Sequence, residues 1–429
     1  MNIPAIEVRA WGKRVGALAR DPRLEYYVFE YAPSWRNLGM ELAPLQIPLS
    51  DSRQTFIFPN LPEATFRRLP AMFADALPDD FGNALIDRWM AERGTTKAEV
   101  TTLDRLAYMG KRGMGALEFK PALGSHRESV EPLRMQSLVE EARKAVEGDL
   151  SADAHAQAAL ANIIRVGTSA GGARAKAVVA WNPKTSQIRS GQFDMASGFE
   201  PWLLKFDGIG RDFELGTGGD YGRTEYAYYK MATQAGVVMS PSRLLEENDR
   251  AHFMTRRFDR DVIAGITVKH HMQTLCAMAH LDYKQKGTHA YSQLFMTIYE
   301  LKLGDDALRQ AFLRMAFNVM ARNCDDHTKN FSFLRKREEG WELAPAYDVT
   351  HAHNPRGEWT YQHLMSVNGK FDGIARADLL LEAERFSVPR AEELIADVRS
   401  ALGNWTGHAR SAGLSQSKAE ELSRDFLLL

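Results

Sequence analysis

Alternation opens the chain. Ile6, Val8 and Ala10 recur at every second position, Gly12-Lys13-Arg14 reads as a turn, and Val15–Leu18 answers, which is the pattern of a β-hairpin. Tyr26–Tyr31 and Thr55–Phe58 predict further strands. From Phe66 the period lengthens: Phe66, Leu69, Met72, Phe73 and Leu77, then Leu85, Trp89 and Met90, predict helices interrupted at Pro78-Asp79-Asp80. A third helix is expected over about Lys97–Tyr108 and a short strand over Gly115–Phe119. The polar, Gly/Pro/Ser-bearing stretch Pro121–Glu128 predicts a boundary. Beyond it, helices over about Met135–Val146 and Ala152–Ile164 precede strands at Ala175–Trp181, Ile188–Phe193 and Trp202–Phe206. A helix is expected to open at Thr224-Glu225 and close at Gly236, and a hairpin to join Arg243–Glu247 to Ala251–Arg257 around Asn248-Asp249. After Asp261 the pattern is mostly helical, so the expected class is α+β, a strand-rich half followed by a helical one.

Length and composition narrow the field. A chain of 429 residues suits two or three lobes, and 45% hydrophobic with 25% charged residues is the balance of a packed protein. Lys and Arg number 54 against 55 Asp and Glu, a net charge of -1, which gives no bulk electrostatic case for nucleic-acid binding. Two cysteines, Cys276 and Cys324, exclude a disulfide scaffold and a thiolate-rich zinc module. No run of about 20 apolar residues predicts a membrane span, and the first residues carry no apolar signal core, so a cytoplasmic protein is expected.

The densest chemistry is Arg322-Asn323-Cys324-Asp325-Asp326-His327-Thr328-Lys329-Asn330, between an amphipathic helix and a strand at Phe331–Leu334. An Asp followed five residues later by an Asn is the spacing of kinase-type phosphoryl transfer: the Asp takes or orients the acceptor hydroxyl, the Asn carbonyl reaches a magnesium ion. The offset to Asn330 selects Asp325 over its neighbour Asp326. A hairpin over Phe331–Leu343 would return Asp348 to Asn330 as a second hard oxygen ligand. Upstream, the glycine-rich run Val166–Lys176 leads into a strand and could cradle phosphates through backbone N–H groups. Lys205 stands in the apolar strand Trp202–Phe206 and needs a counter-charge, for which phosphate oxygens and Glu225 are candidates; an edge strand with its ammonium in water is the plainer alternative. Gly110–Gly115 reads as a turn, His270-His271 and His351/His353 as surface or packing histidines, and Cys324 as an inert half-buried thiol.

Taken together these residues resemble the HipA family of serine/threonine kinases. Asp325-Asp326-His327-Thr328-Lys329-Asn330 is similar to the family's D-x-H-x-K-N catalytic loop, and Tyr347-Asp348 to its metal-binding Y-D. Ser169-Ala170-Gly171-Gly172-Ala173-Arg174-Ala175-Lys176 resembles its glycine-rich loop, Leu204-Lys205 and Glu225-Tyr226 its nucleotide lysine and helix glutamate, and Arg257-Phe258-Asp259-Arg260 the R-F-D-R at its hinge. The resemblance implies a two-lobed protein-kinase-like fold: an extra N-terminal α+β subdomain (1–125), a β-rich small lobe (126–260) and a helical large lobe (261–429). It implies ATP and Mg2+ as cofactors, catalysis by Asp325, Asn330 and Lys205, and metal ligation by Asn330 and Asp348. Nucleotide contacts would come from Ser169, Ala170, Gly171, Gly172, Ala173, Lys205, Glu225, Arg256, Phe258, His327, Asn330 and Asp348, and Ser169 would be the autophosphorylated serine. The position before Arg257 departs from the family: it is Arg256 where an acidic residue is expected. Family members are toxins of toxin–antitoxin pairs, linked to persistence, that phosphorylate aminoacyl-tRNA synthetases and partner a small helix-turn-helix antitoxin (HipB-like), through which DNA is reached.

Two other readings stay open on the sequence. One is a nucleotide-binding, non-catalytic corepressor acting through an antitoxin. The other is a small-molecule phosphotransferase, which shares the Asp/Asn/Asp spacing but lacks the serine-bearing loop and the R-F-D-R.

Overall fold

Two backbone positions with positive φ start the fold: Trp11 (φ 48°) and Gly12 (φ 75°) make the two-residue turn that joins β1 (Ala5–Ala10) to β2 (Lys13–Arg20), with Ala10 paired to Lys13. The turn therefore sits one residue earlier than the sequence pattern placed it. The computed structural model describes residues 3–78, 80–123, 175–191, 195, 197–207, 219–247, 250–263 and 265–429. The expected helices at 135–146 and 152–164, the loop residues Ser169 to Ala173, and the turn at Asn248-Asp249 lie outside these residues.

The chain divides into two compact units. The first comprises Met1–Gly210, Arg256–Gln273 and Leu334–Gly340; the second comprises Arg211–Thr255, Thr274–Phe333 and Trp341–Leu429.

In the first unit, β3 (Tyr27–Tyr31) and β4 (Thr55–Phe56) extend the hairpin on one side and β5 (Leu117–Lys120) on the other, giving the antiparallel order β4-β3-β2-β1-β5. Val8, Leu18, Phe29, Phe56 and Phe119 are buried on its inner face, where the Phe29 and Phe73 rings lie 4.7 Å apart. Gly16 is obligatory at the β2–β3 contact, since a Cβ there would stand 2.1 Å from the Glu30 carbonyl oxygen. The expected helix after Phe66 is cut into single turns, Glu63–Phe66 and Ala71–Ala74. Arg67 and Arg68 turn left-handed (φ 52° and 64°), and Pro70 caps the second piece. The expected helix from Lys97 is a 3₁₀ turn (Lys97–Glu99) followed by the helix Thr102–Met109. Thr101 separates them as an N-cap, its hydroxyl accepting from the Asp104 N–H while the Asp104 carboxylate accepts from the Thr101 N–H at 3.0 Å. Further on, β6 (Lys176–Trp181) is buried along its whole length between β7 (Ile188–Ser190) and β8 (Glu200–Lys205), and Lys176 faces Lys205 across the ladder.

Arg257, Asp259 and Arg260 are buried in this unit. Asp259 accepts from Arg257 Nε (2.9 Å) and Nη2 (2.7 Å), from Arg260 Nη1 (2.9 Å) and from the Gly115 N–H (2.7 Å). Both guanidiniums also donate to the Gly113 carbonyl, and Arg260 to that of Gly115. Two cations on one carboxylate hold Asp259 far below the usual carboxylate range, against the opposing effect of burial. The glycine turn at 110–115 is the backbone side of this lock.

The second unit is mostly helical: Tyr221–Gln234, Tyr291–Glu300, Asp305–Met320, Arg376–Arg385, Ala391–Gly403, Trp405–Ser411 and Gln416–Ser423. The Tyr221–Gln234 helix starts one turn before the expected Thr224, because Gly222 lets it lie against the strand Arg250–Arg256; a Cβ there would meet the Ala251 carbonyl oxygen at 2.0 Å. That strand and Ser242–Glu247 form the expected hairpin, paired from Arg250 with Glu247 to Thr255 with Ser242. Among the described residues no helix is long and apolar enough to cross a membrane.

Candidate active site

The helix Asp305–Met320 leads into the Asp325 loop. Asp305 and Asp306 in its first turn suit the positive end of the helix dipole, and its last ten residues from Ala311 to Met320 are all buried. It ends in a Schellman turn: the Asn323 N–H donates to Asn318 C=O (2.9 Å) and the Arg322 N–H to Val319 C=O (3.4 Å). Arg322, not glycine, takes the left-handed position (φ 55°). Its guanidinium anchors that conformation, with Nη2 donating to His353 Nε2 (2.5 Å) and Nη1 to Asp372 (3.3 Å). His351 and His353 in turn meet Asp425 at 2.9 and 3.2 Å, contacts that hold its carboxyl down to about 2, with the His351 hydrogen bond the larger cause.

The two adjacent aspartates then part. Asp326 turns inward and is buried; it accepts from Tyr291 Oη (2.8 Å), from His363 Nδ1 (2.8 Å) and from the Leu364 N–H (2.8 Å). Burial alone would push His363 down, but the Asp326 charge and hydrogen bond raise it to about 10, so the imidazole is a buried cation at neutral pH. Cys324 is fully buried rather than half-buried, its Sγ 3.8 Å from His363 Nε2. Asp325 turns the other way and keeps 40% of its side-chain surface exposed. Trp359 Nε1–H donates to its Oδ1 at 2.8 Å, and His327 Nε2 lies 3.7 Å from the same oxygen. Partial burial pushes the Asp325 carboxyl up, with Asp348 and Asp326 adding to the rise and His327 and Trp359 opposing it.

A 3₁₀ turn, Thr328–Asn330, closes the loop. Asn330 Nδ2 donates to the backbone carbonyl of Asp325 at 2.7 Å, which ties the two ends of the five-residue spacing together. Tyr347 straps the turn from outside: its hydroxyl donates to the Lys329 carbonyl (2.6 Å) and shares a hydrogen bond with Ser332 Oγ. Asp348 follows in the left-handed region (φ 52°), an uncommon place for a residue with a Cβ and a frequent one at working sites. Asn330 and Asp348 line one cavity with Arg314, Asn323, Asp326 and Tyr347. The expected return of Asp348 to Asn330 thus occurs.

The donor chemistry of this cavity fits a divalent ion. Asn330 and Asp348 supply hard oxygens. Among the described residues no cluster of three or more His, Cys, Asp or Glu side chains could hold a metal unaided. An ion here would need phosphate oxygens and water to complete its shell, as Mg2+ does. Lys205 stands on β8 in the first unit with Arg256 and Phe258; Glu225 is buried in the Tyr221–Gln234 helix of the second. Trp359 and His363 gave no sequence signal, being 34 and 37 residues from the aspartates they contact.

Residues 168–406 match the family profile described as HipA-like C-terminal domain, and residues 6–120 that of the HipA N-terminal domain. No curated protein matches the sequence. Among solved structures, the chain is similar to one from the complex of HipA, HipB and operator DNA of the Shewanella oneidensis MR-1 toxin–antitoxin system. The TM-score is 0.67 and the identity 17%, over 98% of this chain and 94% of that one, which shows a shared fold. The proinflammatory kinase CtkA of Helicobacter pylori aligns over 53% of this chain and 88% of its own, with 12% identity and a TM-score of 0.34.

Proposed function

The chain belongs to the HipA family, and from that footing we propose that it is an ATP- and Mg2+-dependent protein serine/threonine kinase, the toxin of a HipA/HipB-type pair. The observation that carries the reading is the Asn330 side-chain bond to the Asp325 carbonyl, which holds the two ends of the loop together while Asp348 shares Asn330's cavity.

In the proposed reaction the acceptor hydroxyl oxygen bonds to the γ-phosphorus of ATP as the bond from that phosphorus to its bridging oxygen breaks. ADP leaves, and the hydroxyl proton passes to the Asp325 carboxylate. Asn330 and Asp348 would hold Mg2+, which when bound neutralises charge on the phosphate oxygens. Lys205 would pair with the α- and β-phosphates, and Ser169 to Ala173 would cover them. A small helix-turn-helix protein is the expected partner, since the similar Shewanella structure is a complex with HipB and operator DNA. The protein substrate would be a translation component such as an aminoacyl-tRNA synthetase.

Intact mass after incubation with Mg-ATP tests this. One added phosphate in wild type, absent in Asp325→Asn and in Ser169→Ala, is expected. Replacing Asp325 by Asn should slow transfer roughly 10²–10⁴-fold; undiminished activity in that variant would remove Asp325 from the chemistry.

A further inference from the structure

Asp325 offers only one of its two carboxylate oxygens. Oδ1 is engaged by the Trp359 indole N–H at 2.8 Å, with His327 Nε2 at 3.7 Å, whereas Oδ2 accepts no hydrogen bond among the described residues. Trp359 comes from a loop folded on itself. The Gly357 N–H donates to Asn354 C=O (2.9 Å), the Arg356 N–H to Asn354 Oδ1 (3.0 Å) and the Asn354 N–H to Thr360 C=O (3.2 Å). Lys286 Nζ adds a bond to the Glu358 carbonyl at 2.7 Å, beside the indole. An aromatic tier backs the ring: the His327 centroid is 6.3 Å from that of Trp359 and 5.2 Å from that of Tyr283.

A carboxylate turns easily about its last torsion, whose profile is broad and two-fold. A charge-assisted hydrogen bond from a ring that cannot follow that rotation removes the freedom. We propose that Trp359 is a positioning residue for phosphoryl transfer: its N–H holds Asp325 Oδ1 so that Oδ2 receives the acceptor's proton. This assignment rests on the kinase reading above. Trp359 touches no reacting atom; it acts through Asp325, and its loss frees the carboxylate to swing. A misplacement of about 1 Å at a reacting group can slow a reaction by about 10².

Two measurements on the full chain test the proposal. In Trp359→Phe, which keeps an aromatic ring and removes the donor, kcat for phosphate transfer should fall about 10- to 100-fold while KM for ATP stays within about twofold. A ring acting only as packing would not split the two constants in this way. An unchanged kcat overturns the proposal, and so does a raised one, which would make Trp359 an obstruction. Independently of activity, indole-¹⁵N spectra of the eight tryptophans identify the Trp359 peak by its loss in Trp359→Phe. That peak should move in Asp325→Ala; a peak that stays in place shows that the contact is absent and overturns the proposal. A wild type that transfers no phosphate to any protein, with the indole peak moving as expected, would instead overturn the kinase reading.

Discussion

Asp325 and Asp326 are chemically identical neighbours in opposite surroundings, and burial separates them. Asp326 neutralises the buried His363 cation and ties the loop to Tyr291 and Leu364; among the described residues Asp325 Oδ2 accepts no hydrogen bond. Asp326→Asn removes the charge that keeps His363 protonated, so the imidazole neutralises and the charge-assisted hydrogen bonds are lost; this should cost about 1–3 kcal/mol of stability, read as a lower urea midpoint. The pair also sets a pH window. His363 is raised from 6.5 to about 10 in the folded protein, so its contribution is complete below 6.5 and disappears as pH rises toward 10. Melting curves of wild type and His363→Gln should therefore converge across that interval. The spacing to Asn330 singled out Asp325 in the sequence, and in the structure Asn330 bonds the Asp325 carbonyl. Nothing local could reveal why Asp326 is needed, because its partners lie 35 to 38 residues away.

At the level of elements, the helix Asp305–Met320 and the Tyr347 strap do complementary work. The helix stops where Arg322 accepts a backbone position that glycine would take more readily, and its side chain offsets that strain by two anchors. The strap fixes the far end of the loop. Tyr347→Phe removes the donor to Lys329 and should lower kcat about tenfold with a small change in melting temperature, since one net hydrogen bond is worth about 1 kcal/mol; steady-state assay beside calorimetry would check both. Element types were legible from periodicity where the apolar pattern is long, as in this helix and the first hairpin. Boundaries were not. Thr101, Pro70 and Gly222 decide where helices begin through capping, a missing N–H and a close approach, and a count of apolar positions registers none of these.

On the scale of the whole chain, the R-F-D-R stretch, for which the family resemblance implied a hinge, is an internal fastener. Asp259 pairs with both Arg257 and Arg260, and Asp259→Asn should destabilise the protein by about 3–5 kcal/mol because two buried guanidiniums lose the carboxylate they share. Asp259 is held below its ordinary 3.8, so its share of stability is present above that value and fades as pH falls through its lower folded value. Acid titration followed by circular dichroism should show the variant less sensitive than wild type below pH 4.

The same fastener imposes an order of events on synthesis. The chain passes from one unit to the other after residues 210, 255, 273, 333 and 340, so neither unit is a continuous stretch. Gly115 emerges from the ribosome 144 residues before the aspartate that its N–H will meet. At about 5–20 residues per second, the first sheet waits roughly 7–30 s for that partner. During this interval the nascent N-terminal region is exposed to whatever binds half-finished chains, and a gene truncated before codon 259 would encode a sheet that never receives its lock.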